Sequence, residues 1–338
     1  MIREFTSLFH YYSSKANSKF LQQWDLLLMA TAIAFGVNIA VMLVELCFVG
    51  WKESSLQRVF VRPSRSAISD LLLFVLVQTA LAKIIGSIMT FGVINIFTFH
   101  VKQNLAPWQV QLAMNPFLYY GVYLLFIDFF NYWNHRAFHQ FEFLWEIHKF
   151  HHAATEMTVF TATRDHPIER IFGTVFVVLP VALLAPPASD VFWLTLFVAT
   201  IGPLKHSALD LDWSWFGRYV IQSPRAHRIH HSVESRHHNK NYASIFSFWD
   251  HMFGTWYEPG LERPTLGVED NPYNHRGTWW DILMCYRQSW AVVLRNAASM
   301  VKRPPPPSAI VFSWKGDPGR IEPRPSDAHA DRKVGTKV

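Results

Sequence analysis

Read along the chain, apolar and polar positions separate into long blocks rather than the short alternation of a soluble domain. Trp24 to Val49, "WDLLLMATAIAFGVNIAVMLVELCFV", is long enough to span a bilayer. Glu45 sits near its end, within reach of the interface, and Cys47 reads as a small core residue. Ala67 to Phe99 is longer than one straight crossing needs and contains Gly86, which predicts a tilt, a bend or an interfacial extension. Phe117 to Trp133, "FLYYGVYLLFIDFFNYW", predicts a third membrane helix. Ile171 to Leu204 holds two apolar halves broken by "LLAPPASD", the pattern of a helical hairpin. These blocks place three polar segments, 134–170, 205–218 and 219–258, at one membrane face.

Charge gives that topology a direction. The 51–67 loop carries Lys52, Arg58, Arg62 and Arg65, whereas the connections at 100–116 and 185–190 carry only Lys102. The positive-inside rule then puts the polar segments on the cytosolic face of a multi-pass membrane protein. Arg3, Lys15 and Lys19 fall on the other side and fit the rule least well. The N-terminal stretch has no signal-peptide apolar region, so the first block is expected to remain in the mature protein. The expected organisation is N-terminal membrane helices over 1–116, a catalytic unit over 117–258, a C-terminal cap over 259–300 and a tail over 301–338 too rich in Pro and charge to pack. The fold class is all-α: membrane helices with a cytosolic-face helical cap over a histidine-rich dimetal site.

Composition agrees. Half of the 338 residues are hydrophobic and only 17% are charged, which favours the membrane class. The formal charge of +6 is dispersed, and suits anionic lipid heads better than nucleic acid. The two cysteines, Cys47 and Cys285, supply neither a disulfide framework nor a paired zinc motif.

Histidine is the anomaly: twelve of seventeen lie between His135 and His238. "HRAFH" places His135 and His139 at i, i+4. "HKFHH" gives His148, His151 and His152, and "HRIHH" gives His227, His230 and His231, each triplet on one helical face. Eight imidazoles exceed the need of one tetrahedral zinc, and the count argues for two ions with four nitrogens each and open positions left over. Asp128 lies two helical turns before His135, and with Glu146, Glu156, Asp165, Glu169 and Asp210 is a candidate acceptor for the ring N–H groups. Phe and Trp side chains around 126–145 and 246–257 are candidate linings for a channel from the bilayer.

The order, spacing and flanks of these motifs resemble the histidine boxes of the fatty acid hydroxylase/sterol desaturase superfamily. "DFFNYWNHRAFH", "TRDHPIE" and "HRIHHSVESRHHNKNYASIFSFWDHMFGTWY" carry the likeness over about 125–257. The resemblance implies an integral-membrane oxidoreductase with two iron ions, dioxygen as co-substrate and a lipid or sterol substrate. It implies that His135, His139, His148, His151, His152, His227, His230 and His231 are iron ligands, with His206 in "KHSALD" as a ninth and His238 as an uncertain tenth. His166, Asp210 and Asn241 become, with Asp128, candidates for positions just behind the ligands, and His237 is expected to be solvated. No dinucleotide, CxxC or haem motif is present, so electrons are expected from a separate donor protein; oligomeric state stays open. Two other readings compete. A zinc-dependent membrane hydrolase would want H-E-x-x-H, which is lacking. A metal transporter or metal-buffering protein would place ligands within the spans rather than at one face.

Overall fold

In the computed structural model, described over residues 28–110, 115–184 and 188–302, helices α1 (Leu28–Phe48), α2 (Arg65–Gln78), α3 (Leu81–Met89), α4 (Val93–Leu105), α5 (Pro116–Gln140) and α6 (Glu142–His152) are followed by α7 (Pro167–Leu184) and α8 (Ala188–Lys205). Short helices α9 (Ser214–Tyr219), α10 (Pro224–His230) and α11 (Phe248–Met252) precede the long α12 (Thr278–Lys302). Among the described residues there is no strand, only two isolated bridges, Ile221 with Phe246 and Ser232 with Leu266. The residues proposed as a C-terminal tail lie outside the described residues, apart from the end of α12.

Local chemistry sets the boundaries. Ser64 caps α2 by accepting the Ala67 N–H at 3.0 Å, and Ser223 caps α10 in the same way with Pro224 in its first turn. The apolar block from Ala67 does bend: α2 and α3 meet at 91°. Gly86 on α3 permits the closest approach in the bundle. A Cβ there would lie 2.2 Å from the Pro167 carbonyl, so α3 packs backbone to backbone on the start of α7.

By length and apolarity α1 and α7 can cross a membrane, and the α2–α3 pair adds a third crossing if it forms one bent span. Exposed apolar side chains such as Phe35, Ile39, Leu43, Ile84, Ile88 and Ile96 coat the outside of α1, α3 and α4, as lipid contact requires. This is a membrane protein. The sequence reading also sends α5 and α8 across, but neither meets the same test of length and apolarity. Asp128, Asn131, Asn134 and Arg136 dilute α5, and Asp190 and Lys205 dilute α8. The Val110 N–H donates to the Leu183 carbonyl at 2.8 Å, so the segment after α4 meets the end of α7.

Two residues of α1 correct the expectations made for them. Cys47 is exposed rather than a core residue. Glu45 is fully buried, and its carboxylate accepts the Ser55 N–H and the Ala208 N–H, both at 2.7 Å. Glu45 therefore ties α1 to the segment that carries His206 instead of reaching into an interface.

Under the histidine site lies a second buried charge, missed in the sequence. Arg164 and Asp70 are both 0% exposed and paired at 2.8 Å. Arg164 also donates to the Phe150 and Ser66 carbonyls and to Asn274 Oδ1. The pair locks α2, α6 and the segment before α12 together, beneath a core of Leu73, Phe150, Tyr273, Ile282 and Cys285. Removing one partner strands the other charge in the core. We expect Asp70→Ala to destabilise the protein by about 3–5 kcal/mol, measured by thermal unfolding in detergent against an exposed control such as Glu53→Ala.

Candidate metal centre

Nine histidines meet at the end of the bundle and form two groups. His135 and His139 from α5, His148 and His152 from α6, and His230 from α10 bring one nitrogen each within 4.8 Å of one another. His151, His206, His227 and His231 do the same beside them. The partition is five and four, not four and four. Helix geometry explains it. In each H-x-x-H-H motif the i, i+4 pair turns to one group while the remaining histidine turns to the other. His148 and His152 face the first group and His151 the second; His227 and His231 face the second and His230 the first. The groups are therefore interleaved, with the His152 and His231 rings stacked at 4.3 Å.

The distal nitrogens show what fixes the rings. His135 Nδ1–H donates to the Tyr242 carbonyl and His230 Nδ1–H to the Lys240 carbonyl, both at 2.7 Å. His206 Nδ1–H donates to the Gly202 carbonyl at 2.9 Å, and His148 Nδ1 shares a hydrogen bond with Glu169 Oε1 at 2.6 Å. A carbonyl can only accept, so the Nδ1 atoms of His135, His206 and His230 carry the proton. Burial keeps the rings neutral: it lowers His148 to about 4 against the pull of Asp165, and His206 to about 3, helped by Lys205. Burial drives the other seven well below 6.5, with neighbouring imidazoles adding to the effect.

A neutral ring protonated at Nδ1 presents a bare lone pair at Nε2. His135 and His230 point these at each other across 3.0 Å, and His206 turns its own on His227 Nε2 at 2.9 Å. The His151 and His206 Nε2 atoms lie 3.3 Å apart, and His148 and His152 3.2 Å. No proton is available between His135 and His230, whose Nδ1 atoms both hold theirs against carbonyls, and His139 Nε2 is buried without a partner. Opposed lone pairs at such distances repel unless a cation lies among them. Nitrogens about 2.0–2.1 Å from a shared ion are themselves separated by about 3 Å. Both groups could hold a metal ion, and the donor set fits one.

The other candidates fall in different places. Asp128 touches no ring; its carboxylate accepts the Ile245 and Phe246 N–H groups and Trp249 Nε1, pinning the closing segment to α5. Asn241, at φ 55°, donates to the Ala226 and Tyr257 carbonyls and accepts the Tyr257 N–H. That turn aims the carbonyls on either side of it at His230 and His135. Asp250, which sequence reasoning passed over although it stands in the quoted Trp-Asp, accepts the Tyr242 and Ala243 N–H groups and so sets the same turn. Asp210 faces away from the rings and clamps Arg225 at 2.9 Å. Glu146 pairs with Lys149, and Glu156 accepts from Ser64. Asp165 lies 3.5 Å from His151 and is raised to about 6 by burial, partly offset by Arg170.

Three histidines depart from their expected roles. His238 belongs to neither group; it is exposed and lines a cleft of about 290 Å³ beside His139, His152 and His230. His237 is buried rather than solvated, with Nδ1 2.8 Å from Ser232 Oγ. His166 sits away from the rings, donating to the Ile282 carbonyl of α12 and accepting the Ile168 N–H. Of the aromatic residues expected to line a channel, Phe129 packs on Trp249 at 5.3 Å and Trp133 on Phe253 at 5.0 Å, while Trp145 lines the cleft beside His139 and Phe143 lines an apolar pocket. A cavity of about 440 Å³ opens among α1, α2 and α8 and ends at His206.

His166 supplies a pH test. Its two hydrogen bonds need the neutral ring, and burial holds it at about 4. The folded value lies below the unfolded one, so stability is at its ceiling above about 6.5 and declines as the pH falls to about 4. Thermal unfolding across that window should show His166→Gln losing less than the wild type, by on the order of 3 kcal/mol; equal losses would remove this role.

Comparison with known proteins agrees with the geometry. Residues 120–255 match the fatty acid hydroxylase family. An ornithine lipid hydroxylase of Rhizobium tropici is 31% identical over 40% of this chain and 41% of its own length. The alkylglycerol monooxygenase of Homo sapiens is 28% identical over 48% and 34%. A methylsterol monooxygenase of Arabidopsis thaliana is 33% identical over 40% and 45%. The chain thus spans less than half the length of these relatives, and no solved structure matches it at a significant level. The matched segment, 120–255, carries all nine clustered histidines, and over it the chain is similar to the fatty acid hydroxylase family.

Proposed function

We propose that this protein is a membrane-bound oxidoreductase that uses two iron ions and dioxygen to hydroxylate or desaturate a C–H bond of a lipid or sterol. The observation that carries the reading is the pair of nitrogen clusters, with bare Nε2 atoms turned on one another, at the end of a cavity walled by membrane helices. His135, His139, His148, His152 and His230 would hold one ion; His151, His206, His227 and His231 the other. When bound, a redox-active metal pair supplies the oxidising power for an unactivated C–H bond, which no side chain has. The family relatives support lipids as substrates, since their names specify ornithine lipid, alkylglycerol and methylsterol.

The chain's own contribution is positional. The Lys240, Tyr242 and Gly202 carbonyls fix the tautomer and tilt of three rings and Glu169 holds a fourth, so the nitrogens stay convergent without help from a ligand. The 440 Å³ cavity brings the lipid from the bilayer to His206, while the cleft at His139 opens on the other flank. His238, on that flank, is better suited to the rim than to the ligand set. Electrons come from a separate donor protein, and the positive-inside pattern of the 51–67 loop supports a cytosolic site for it to reach.

Two outcomes follow. Lipid analysis of a host with and without the chain should reveal a new oxygenated or unsaturated lipid, lost at least about 100-fold with His151→Ala while the protein remains in the membrane. A product that persists in that variant contradicts the mechanism. Glu169→Gln should weaken metal retention by about 10–100-fold, read by chelator competition on purified protein, with no change in its helix content.

A further inference from the structure

Asn38 lies on α1, outside the family-matched segment, and faces the 440 Å³ cavity. It is 3% exposed. Its amide Nδ2 donates back to the Ala34 carbonyl at 2.7 Å, as a helix-borne amide readily does, but Oδ1 has no partner among the described residues. A buried, unpaired amide oxygen is costly in a membrane helix, and polar groups kept there mark ligand paths. The cavity's hydroxyl groups share its bias. Thr163 and Thr200 have already given their protons to the Phe160 and Phe197 carbonyls, so they too present oxygen lone pairs. Around these the wall is apolar, with Val37, Phe74, Val77 and Leu196. The other amides on the wall are Gln78 and Asn131, and neither is hydrogen-bonded to Asn38 Oδ1.

We propose that Asn38 is a specificity-determining residue, whose Oδ1 accepts a hydrogen bond from a neutral donor group, a hydroxyl or an amide N–H, carried by the lipid. Lipids with such a donor are selected over esters, ethers and plain hydrocarbon chains of the same length. A pocket built to pair with a donor rejects the analogue lacking it because its own oxygen is then left unpaired. This rests on the reading that the cavity holds the lipid substrate.

The test is a binding measurement on the full chain in nanodiscs, by displacement of a fluorescent fatty lipid, and needs no turnover. Two matched pairs are compared: a long-chain N-acyl amide against its ester, and a long-chain hydroxy lipid against its O-methyl ether. The wild type should favour the donor-bearing member of at least one pair by about tenfold. The pair that is discriminated identifies the donor as N–H or O–H. In Asn38→Leu the ratio should fall to about one. That variant removes an unpaired polar atom from an apolar setting, so it is expected to fold. Ala34→Phe, which fills the cavity, should weaken both members together. No discrimination in the wild type, or discrimination that survives Asn38→Leu, overturns the assignment of Asn38 while leaving the cavity reading intact. Equal binding in Ala34→Phe and the wild type overturns the cavity reading itself.

Discussion

Everything in this molecule is arranged around one electrostatic constraint: buried neutral imidazoles whose Nε2 atoms are held about 3 Å apart, with no proton between the facing pair His135 and His230. Left free, such rings would rotate and separate. They do not because each of four is tied from behind, three by backbone carbonyls and one by Glu169. The site is thus a strained set of lone pairs stabilised in advance by hydrogen bonds on the far side of the rings. A cation relieves the repulsion, and the hydrogen bonds mean that little reorganisation is needed to receive it.

The supports behind those hydrogen bonds come from the whole chain. Asp250 and Asn241 shape the turn that supplies two carbonyls, and Asp128 moors the rest of that segment to α5. Glu45 holds the segment after His206, and the Arg164–Asp70 pair holds the carbonyl of Phe150, between His148 and His151. Three buried acidic residues, Glu45, Asp128 and Asp250, fasten backbone, and Asp70 holds Arg164, which does the same.

The histidine motifs were legible in the sequence because helix periodicity alone puts i and i+4 on a common face. His206 and Asn241 were legible only through the family resemblance, since neither stands in a repeat. The five-and-four division was not readable, because which way a ring turns depends on acceptors outside its own motif, such as Tyr242 for His135 and Glu169 for His148. Buried acids were misread for the same reason. Asp128 was sought behind a ring because of its helical offset, yet the N–H groups it accepts belong to a loop whose path no local pattern announces. Glu45 and Asp70 sit in apolar blocks, where a lone charge suggests an interface until its distant partners are known. The membrane blocks were found, but α5 and α8 carry polar residues for the site, and that dilutes the signal that would mark them as spans.

The central claim is that these nine nitrogens hold two redox-active ions. The most direct measurement is metal content with X-ray absorption on the purified full chain. The account predicts two irons per chain, each surrounded by imidazole nitrogen with no sulfur, falling to one or none in His230→Ala and His227→Ala. A single zinc, no bound metal, or a carboxylate-dominated shell would contradict it.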